Sequence, residues 1–428
     1  MQKIQILNKY SSKNLELASA FCLSIFYLGI RLPPPIPSAF AFLSFLIIPL
    51  LIISRWKRFI YVATRDIPLL FLVGLALMSA VWSTNPGETL AHNRALLSST
   101  AFGIYLAARY TPKEQMRMMV WLFGIYVLLN LMASLILPSY GTNISTDGLS
   151  LQGVAGHKNS LSAAMGMAAM LFLDLALYGY KYRRTFFAGA GIAFIILLFS
   201  KGRGGLAVFL GLLPLLPFYK VARQDYRLKT VLTIFAFAIG LVMSIATWTN
   251  LEFIVVDLLG KDMDFTGRIP LWNYLIQRGL EKPWLGYGYG AFWTNPTETF
   301  QIAMNVPWMS SLADGGKAHA HNAYIDLFLQ LGWLGILLVT LSFLSVSIRV
   351  VLLLGLTKQI EYFWMLQLIL FMAVGSISDS ATAFLSYRSL YWVLYVSTAC
   401  STAIHLKRIL RSGNKLVNLE HENTTYQH

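Results

Sequence analysis

The sequence predicts an all-α integral membrane protein with about twelve transmembrane helices. Three observations predict it: the composition, the lengths of the apolar runs and the placement of lysine and arginine. The chain has 428 residues, of which 56% are hydrophobic, 14% aromatic and only 12% charged, with a mean hydropathy of +0.59. A soluble chain of this size could not hide so much apolar surface. Apolar runs long enough for a helix to cross about 30 Å of hydrocarbon recur along its length.

Taken in order, the runs are 15–31, closed by Pro33, Pro34 and Pro35; 36–54, followed by Arg55, Lys57, Arg58 and Arg65; 67–83; and 94–109, followed by Lys113 and Arg117. Next come 117–138, then 159–179 with Lys181, Arg183 and Arg184 behind it, 185–200, and 204–219 with Lys220, Arg223, Arg227 and Lys229 behind it. The last four are 230–249, 322–348 with Arg349 and Lys358, 361–379, and 387–405 with Lys407, Arg408, Arg411 and Lys415. The first run lacks the small-residue cleavage site of a signal peptide, so it is expected to stay as a span, and no targeting segment is evident.

Most of the 34 lysines and arginines fall in alternate loops. Cytoplasmic loops are enriched in these residues, so both termini are expected on the cytoplasmic side. The net charge of +15 then anchors the chain on anionic lipid and is not a nucleic-acid patch. Cys22 and Cys400 lie in the first and last runs as small hydrophobes, with no disulfide or zinc spacing. No internal repeat is visible, and residues 1–428 read as one polytopic domain with a polar tail after about 406.

One outside segment, 250–321, is much longer than the others and falls between the ninth and tenth runs. It holds Trp272, Trp284, Trp293, Trp308, Tyr274, Tyr287 and Tyr289, whose flat faces suit either sugar stacking or the headgroup level of a membrane. Within it, 267–280 reads as a short amphipathic helix with Ile269, Trp272, Leu275, Ile276 and Leu280 on the apolar face.

Charges at the lip of a membrane are costly, which makes those on the outside face the default functional candidates. Lys201 and Arg203 sit in "SKGRGG", a short turn whose glycines leave backbone N–H groups free to cradle an anion; the alternative is a turn marked by snorkelling cations. It is not a Walker motif. Arg268 opens the amphipathic helix and can grip a phosphate or carboxylate through two N–H groups, or pair with Asp262 or Asp264. Arg278, Glu281 and Lys282 read as solvated helix charges.

His321 stands at the head of the tenth run, where a neutral imidazole could take a proton from a sugar hydroxyl, and His319 lies two residues earlier. His157 and Lys158 in "AGHKNS" offer a further anion or sugar contact, or a helix cap. Asp379 and Arg388 flank the last outside turn and can pair with each other. The H-x-H spacing of His319 and His321 has no HExxH or clustered carboxylates around it, so no metal site is expected. No nucleophile elbow and no dinucleotide or other cofactor fingerprint is present.

These pieces together resemble the O-antigen ligase and Wzy-type polysaccharide polymerase superfamily. "HNAYIDLFLQLGWLG" carries His321, Asn322, nine residues, Gly332, two residues and Gly335, similar to the ligase pattern; "FTGRIPLW", "KPWLGYGYGAFW" and "SKGRGG" also look like family segments. The resemblance implies a GT-C-like, metal-independent glycosyltransferase without a cofactor. Its substrate would be an undecaprenyl-pyrophosphate-linked glycan, and its site would face the periplasm of a bacterial inner membrane.

Carried over residue by residue, Arg203 and Arg268 would bind pyrophosphate and His321 would activate the acceptor. Lys201, Asn322, His319, Trp272, Tyr287, Tyr289, His157 and Lys158 would then complete the substrate site. Here Lys201 precedes Arg203, where family members often have a bare arginine, so the phosphate grip would be shared. The segments look closest to exopolysaccharide polymerases; ligation of the glycan to lipid A core is the alternative. A flippase and a chain-length regulator are the implied protein partners. A transporter would need carboxylates along the spans, and only Asp174, Asp326 and Asp379 come close.

Overall fold

A computed structural model describes residues 2–33, 35–145, 148–179, 181–222, 268–306, 309, 319–377 and 382–425. The ninth apolar run, 230–249, lies outside the described residues, as do Asp262, Asp264, Trp308, Asp314 and Asp379. The described residues are mainly helical, with one short hairpin.

The order is α1 (Gln2–Leu28), α2 (Ile36–Ile53), α3 (Trp56–Ala63), α4 (Ile67–Met78), α5 (Pro86–Arg109), α6 (Pro112–Ile136) and the short α7 (Pro138–Gly141). After a hairpin come α8 (Lys158–Tyr178), α9 (Arg183–Phe199), α10 (Arg203–Leu212) and α11 (Phe218–Ala222). The last are α12 (Arg268–Glu281), α13 (Pro296–Asn305), α14 (Ala323–Thr357), α15 (Ile360–Gly375) and α16 (Leu390–Thr425).

Among the described residues five helices are long and apolar enough to cross a membrane: Ile36–Ile53, Pro112–Ile136, Lys158–Tyr178, Arg203–Val221 and Ala323–Thr357. A sixth is counted if α3 and the segment Ile67–Val81 act as one span, although they meet at 94°. Their outward faces are apolar: Phe42, Leu50, Phe71, Trp121, Leu135 and Ile348 are all more than half exposed, as hydrocarbon requires and water does not tolerate.

Two local differences from the sequence reading have clear causes. Residues 56–63 form the helix α3, where the charge run suggested only a loop. Its arginine and lysine neighbours settle on aromatic rings, Lys57 over Trp56 at 5.8 Å and Arg65 over Tyr61 at 4.0 Å, which suits a helix lying at an interface. An antiparallel hairpin, β1 (Thr142–Ser145) with β2 (Gly148–Leu151), joins α7 to α8 with Thr142 opposite Leu151. Its strands are four residues each, too short for a recognisable alternation.

The helix α8 is the most enclosed, with nearly every residue from Leu161 to Phe172 buried. Its Ala163, Ala164, Gly166, Ala168 and Ala169 let neighbours approach closely, as small residues do between membrane helices. Phe371 and Phe363 of α15 pack against it at Gly166 and Tyr178, while Trp392 and Tyr395 of α16 fill the interior elsewhere, bonded to Thr100 of α5 and Ser342 of α14.

Polar residues pin the bundle where they are buried. Gln115 of α6 donates to Ser401 Oγ at 3.1 Å and accepts from Ser397 Oγ at 2.8 Å on α16. Asp66 caps α4 through Leu69 N at 2.9 Å and also holds Arg349 of α14. Asp174, considered above as a transport carboxylate, is wholly buried and receives Gln367 Nε2 at 3.1 Å, joining α8 to α15.

Candidate active site

Asn322 starts α14 by accepting from Tyr324 N at 3.0 Å and Ile325 N at 3.3 Å. This is a helix cap, so the asparagine beside His321 has a local structural reason for its position. His321 itself has φ +52°, the left-handed region, where a residue other than glycine costs roughly 1–3 kcal/mol.

Hydrogen bonds on both sides of Ala320 hold that turn. The Ala320 carbonyl accepts from Trp272 Nε1 of α12 at 2.8 Å. The Ala320 N–H donates to both oxygens of Asp326, at 3.1 and 3.2 Å, and Asp326 Oδ1 also accepts from Trp293 Nε1 at 2.8 Å. Finally, the His321 N–H donates to His319 Nδ1 at 3.1 Å, with the two rings 4.0 Å apart. Four bonds of about 1 kcal/mol each are enough to hold the strained residue in place.

The same end of the bundle gathers the other cationic segments. The "SKGRGG" turn lies against the head of α8: a Cβ at Gly202 would stand 2.8 Å from Lys158 O, and one at Gly205 2.8 Å from Ala163 N. This brings exposed Lys201 and Arg203 beside Lys158 and His157. His157 accepts from Asn159 N at 3.3 Å as the cap of α8, so the capping alternative describes its Nδ1.

Lys201 also has a positive φ of +54°, and its Nζ is 3.4 Å from the space a Cβ at Gly148 of β2 would take. Burial pushes the His321 imidazole down to about 3, and the nearby His319, Arg268 and His157 push in the same direction. The imidazole is therefore neutral at physiological pH, and Arg268 and His157 are near enough for their charges to act on it. Three helix N-termini, those of α8, α10 and α14, open toward this cationic face and add their positive dipole ends.

A second set of contacts explains the two glycines that follow. Gly332 has φ +62° and ψ −162°, which breaks α14 into two helices end to end. The carbonyls and N–H groups freed at the break are taken by residues 283–288. Tyr287 N donates to Leu329 O at 2.8 Å, Gly288 N to Gln330 O at 3.0 Å, and Trp333 N to Pro283 O at 2.7 Å. Irregular backbone at membrane depth needs such internal partners. "PWLGYG" and the histidine-headed helix thus form one unit.

Tyr287 and Tyr289 were expected to offer faces to sugar, and the structure places both in the interior, each 4% exposed. The Tyr287 hydroxyl donates to Arg278 O at 2.9 Å, and the Tyr289 hydroxyl donates to Leu385 O. Neither ring is open to a glycan: Tyr287 packs with Leu271 and Leu275 of α12 and Leu329 of α14, and Tyr289 lies beside His92 of α5 with its N–H on Ser79 Oγ. Trp272 spends its indole N–H on Ala320 and is half-buried.

The apolar face of α12 is also turned from the expected one. Leu271, Leu275 and Gly279 are buried while Ile276 and Leu280 are exposed, because Gly279 lets the Phe328 ring close in. Nor is Arg278 simply solvated: it pairs with Glu281 at 2.5 Å and with the buried Glu298 of α13.

Sequence reasoning missed the bracing roles of Asp326 and Trp293. The signal available was an acidic residue in the first turn of α14, four residues after its cap. Among the described residues no group of three or more His, Cys, Asp or Glu is placed to hold a metal ion.

A membrane-embedded helical bundle with a cationic, histidine-bearing face is the class these features define. Residues 188–340, which contain Arg203, Arg268 and His321, match the family model described as O-antigen ligase. It is also similar to the exopolysaccharide production protein ExoQ of Rhizobium meliloti (strain 1021), 28% identical over 88 residues. That alignment covers 21% of this chain and spans only 20% of the relative's length.

Proposed function

We propose that the protein is a polysaccharide polymerase that joins undecaprenyl-pyrophosphate-linked oligosaccharide repeats at the periplasmic face of a bacterial inner membrane. The observation that carries the reading is the meeting of Arg268, His157 and neutral His321 at one end of the bundle, beside the Lys201–Arg203 turn, with the family-matched segment supplying Arg203, Arg268 and His321. The similarity to an exopolysaccharide production protein favours polymerisation over ligation. The loop charges favour about twelve spans with both termini cytoplasmic, which puts the His321 end outside.

In this reading the acceptor hydroxyl attacks the anomeric carbon of the donor glycan and the bond to the pyrophosphate oxygen breaks. His321 takes the hydroxyl proton, and the lipid pyrophosphate leaves with its charge held by Arg203, Arg268 and the shared Lys201. No metal is assigned a part. An imidazole held near 3 is a weak base, but an incoming pyrophosphate offsets the Arg268 charge that helps hold it down, so substrate binding strengthens the base it needs. His157, Lys158 and Asn322 stand close enough to this face to contact the headgroup or sugar. A flippase supplies the lipid-linked repeat, and a chain-length regulator sets polymer size.

Deletion of the gene, followed by electrophoresis of the lipid-linked glycan, tests the reading. Accumulation of single repeats is expected. Long polymer that is made but left unattached would overturn polymerisation in favour of ligation to lipid A core.

A further inference from the structure

We infer that His319 is a positioning residue for His321, acting through its unprotonated Nδ1, and does not contact substrate. This rests on the reading of His321 as the base. The bond that carries it runs from the His321 backbone N–H to His319 Nδ1 at 3.1 Å. A backbone N–H can only donate, so Nδ1 must present its lone pair, and the neutral His319 ring carries its proton on Nε2. The ring lies tilted against that of His321 with centroids 4.0 Å apart, so the same side chain supports the imidazole as well as its backbone.

The site of this bond is where support counts most. His321 holds φ +52°, and its neighbour Ala320 is already fixed on both backbone groups by Trp272 and Asp326. The backbone N–H of His321 is the next group along, and His319 is what holds it. The geometry is that of an Asx turn, in which a side-chain acceptor takes the N–H two residues on, with Nδ1 standing where an asparagine Oδ1 would stand.

One consequence separates this role from that of a ligand. Asparagine can make the same bond, whereas alanine cannot. Among the described residues, the charged groups near the pair include Arg268 of α12 and His157 at the head of α8, both acting on His321, and Asp326 of α14, bound to Ala320.

The test is glycan polymerisation in membranes, with lipid-linked repeats extracted from the deletion strain as substrate. His319→Ala should lower kcat about tenfold, the value of one lost positioning bond, with KM unchanged. His319→Asn should restore turnover to within about threefold of wild type, since its Oδ1 can accept the same N–H. Full turnover in His319→Ala would overturn the inference, as would His319→Asn as impaired as the alanine variant. His321→Ala in the same membranes keeps the two readings apart. If it stays active, the assignment of the base fails; if it is inactive while His319→Ala is normal, only the positioning role fails.

Discussion

Replacing Gly332 by alanine tests the unit formed by α14 and residues 283–288. The backbone there has φ +62° and ψ −162°, a conformation essentially reserved for glycine, and holding alanine in it costs about 1–3 kcal/mol. The new methyl would also lie 2.6 Å from Leu285 N and closer still to the Trp284 carbonyl. Relief requires the ribbon to move off, which gives up bonds such as Trp333 N to Pro283 O at 2.7 Å and Tyr287 N to Leu329 O at 2.8 Å. Two bonds at about 1 kcal/mol each bring the expected loss to about 3–5 kcal/mol.

Thermal unfolding of the detergent-solubilised protein, followed by tryptophan fluorescence, reads this directly, with limited proteolysis at 282–290 as the local probe. Gly124→Ala on α6 is the control, since no atom lies within 4 Å of the methyl it would add and helix propensity favours it by about 1 kcal/mol. Equal stability of the Gly332 and Gly124 variants would refute the account of the break.

Three further outcomes follow from the site. Arg268→Lys keeps the charge but loses the planar fork, and polymerisation should fall about tenfold or more with the protein still at normal level in the membrane; an unchanged rate would assign Arg268 to packing. Asp326→Asn presents an amide where Ala320 and Trp293 now donate to a carboxylate, at a cost of about 1–3 kcal/mol. Its kcat should fall without change in KM, and the opposite split would point to direct substrate contact.

The pH dependence of stability has a definite sign. His321 is held at about 3 when folded, against 6.5 when free, so on acidification the unfolded chain takes a proton before the folded one does. Stability therefore falls as pH drops from 6.5 toward 3, and His321→Gln should lose less over that window in thermal unfolding. Equal acid sensitivity of the two proteins would show that His321 is not the group responsible.

Much of the helical framework was legible because a membrane span is written in length and apolarity, and these are local properties. The same holds for His321, whose motif fixes its register with Asn322, Gly332 and Gly335. What could not be read was the pairing of distant segments. Tyr287 and Tyr289 looked like sugar platforms because an aromatic-rich loop gives no sign that its ribbon will be buried against a broken helix. Asp326 drew notice only in weighing a transporter, because its partners, Ala320 and Trp293, are chosen by the fold and not by spacing. The α12 face was rotated for a similar reason: Gly279 admits Phe328, and a period of three and four residues does not foresee that.

The break at Gly332 has a consequence for exchanging parts between relatives. The helix headed by His321 cannot be moved alone, because its open backbone fits only a ribbon with glycine at the matching places, and that ribbon leads back through α12 to Arg268. A chimera that changes acceptor or donor preference must therefore carry residues 268–340 as one cassette. A junction placed between the ribbon and the helix would part a plug from its socket.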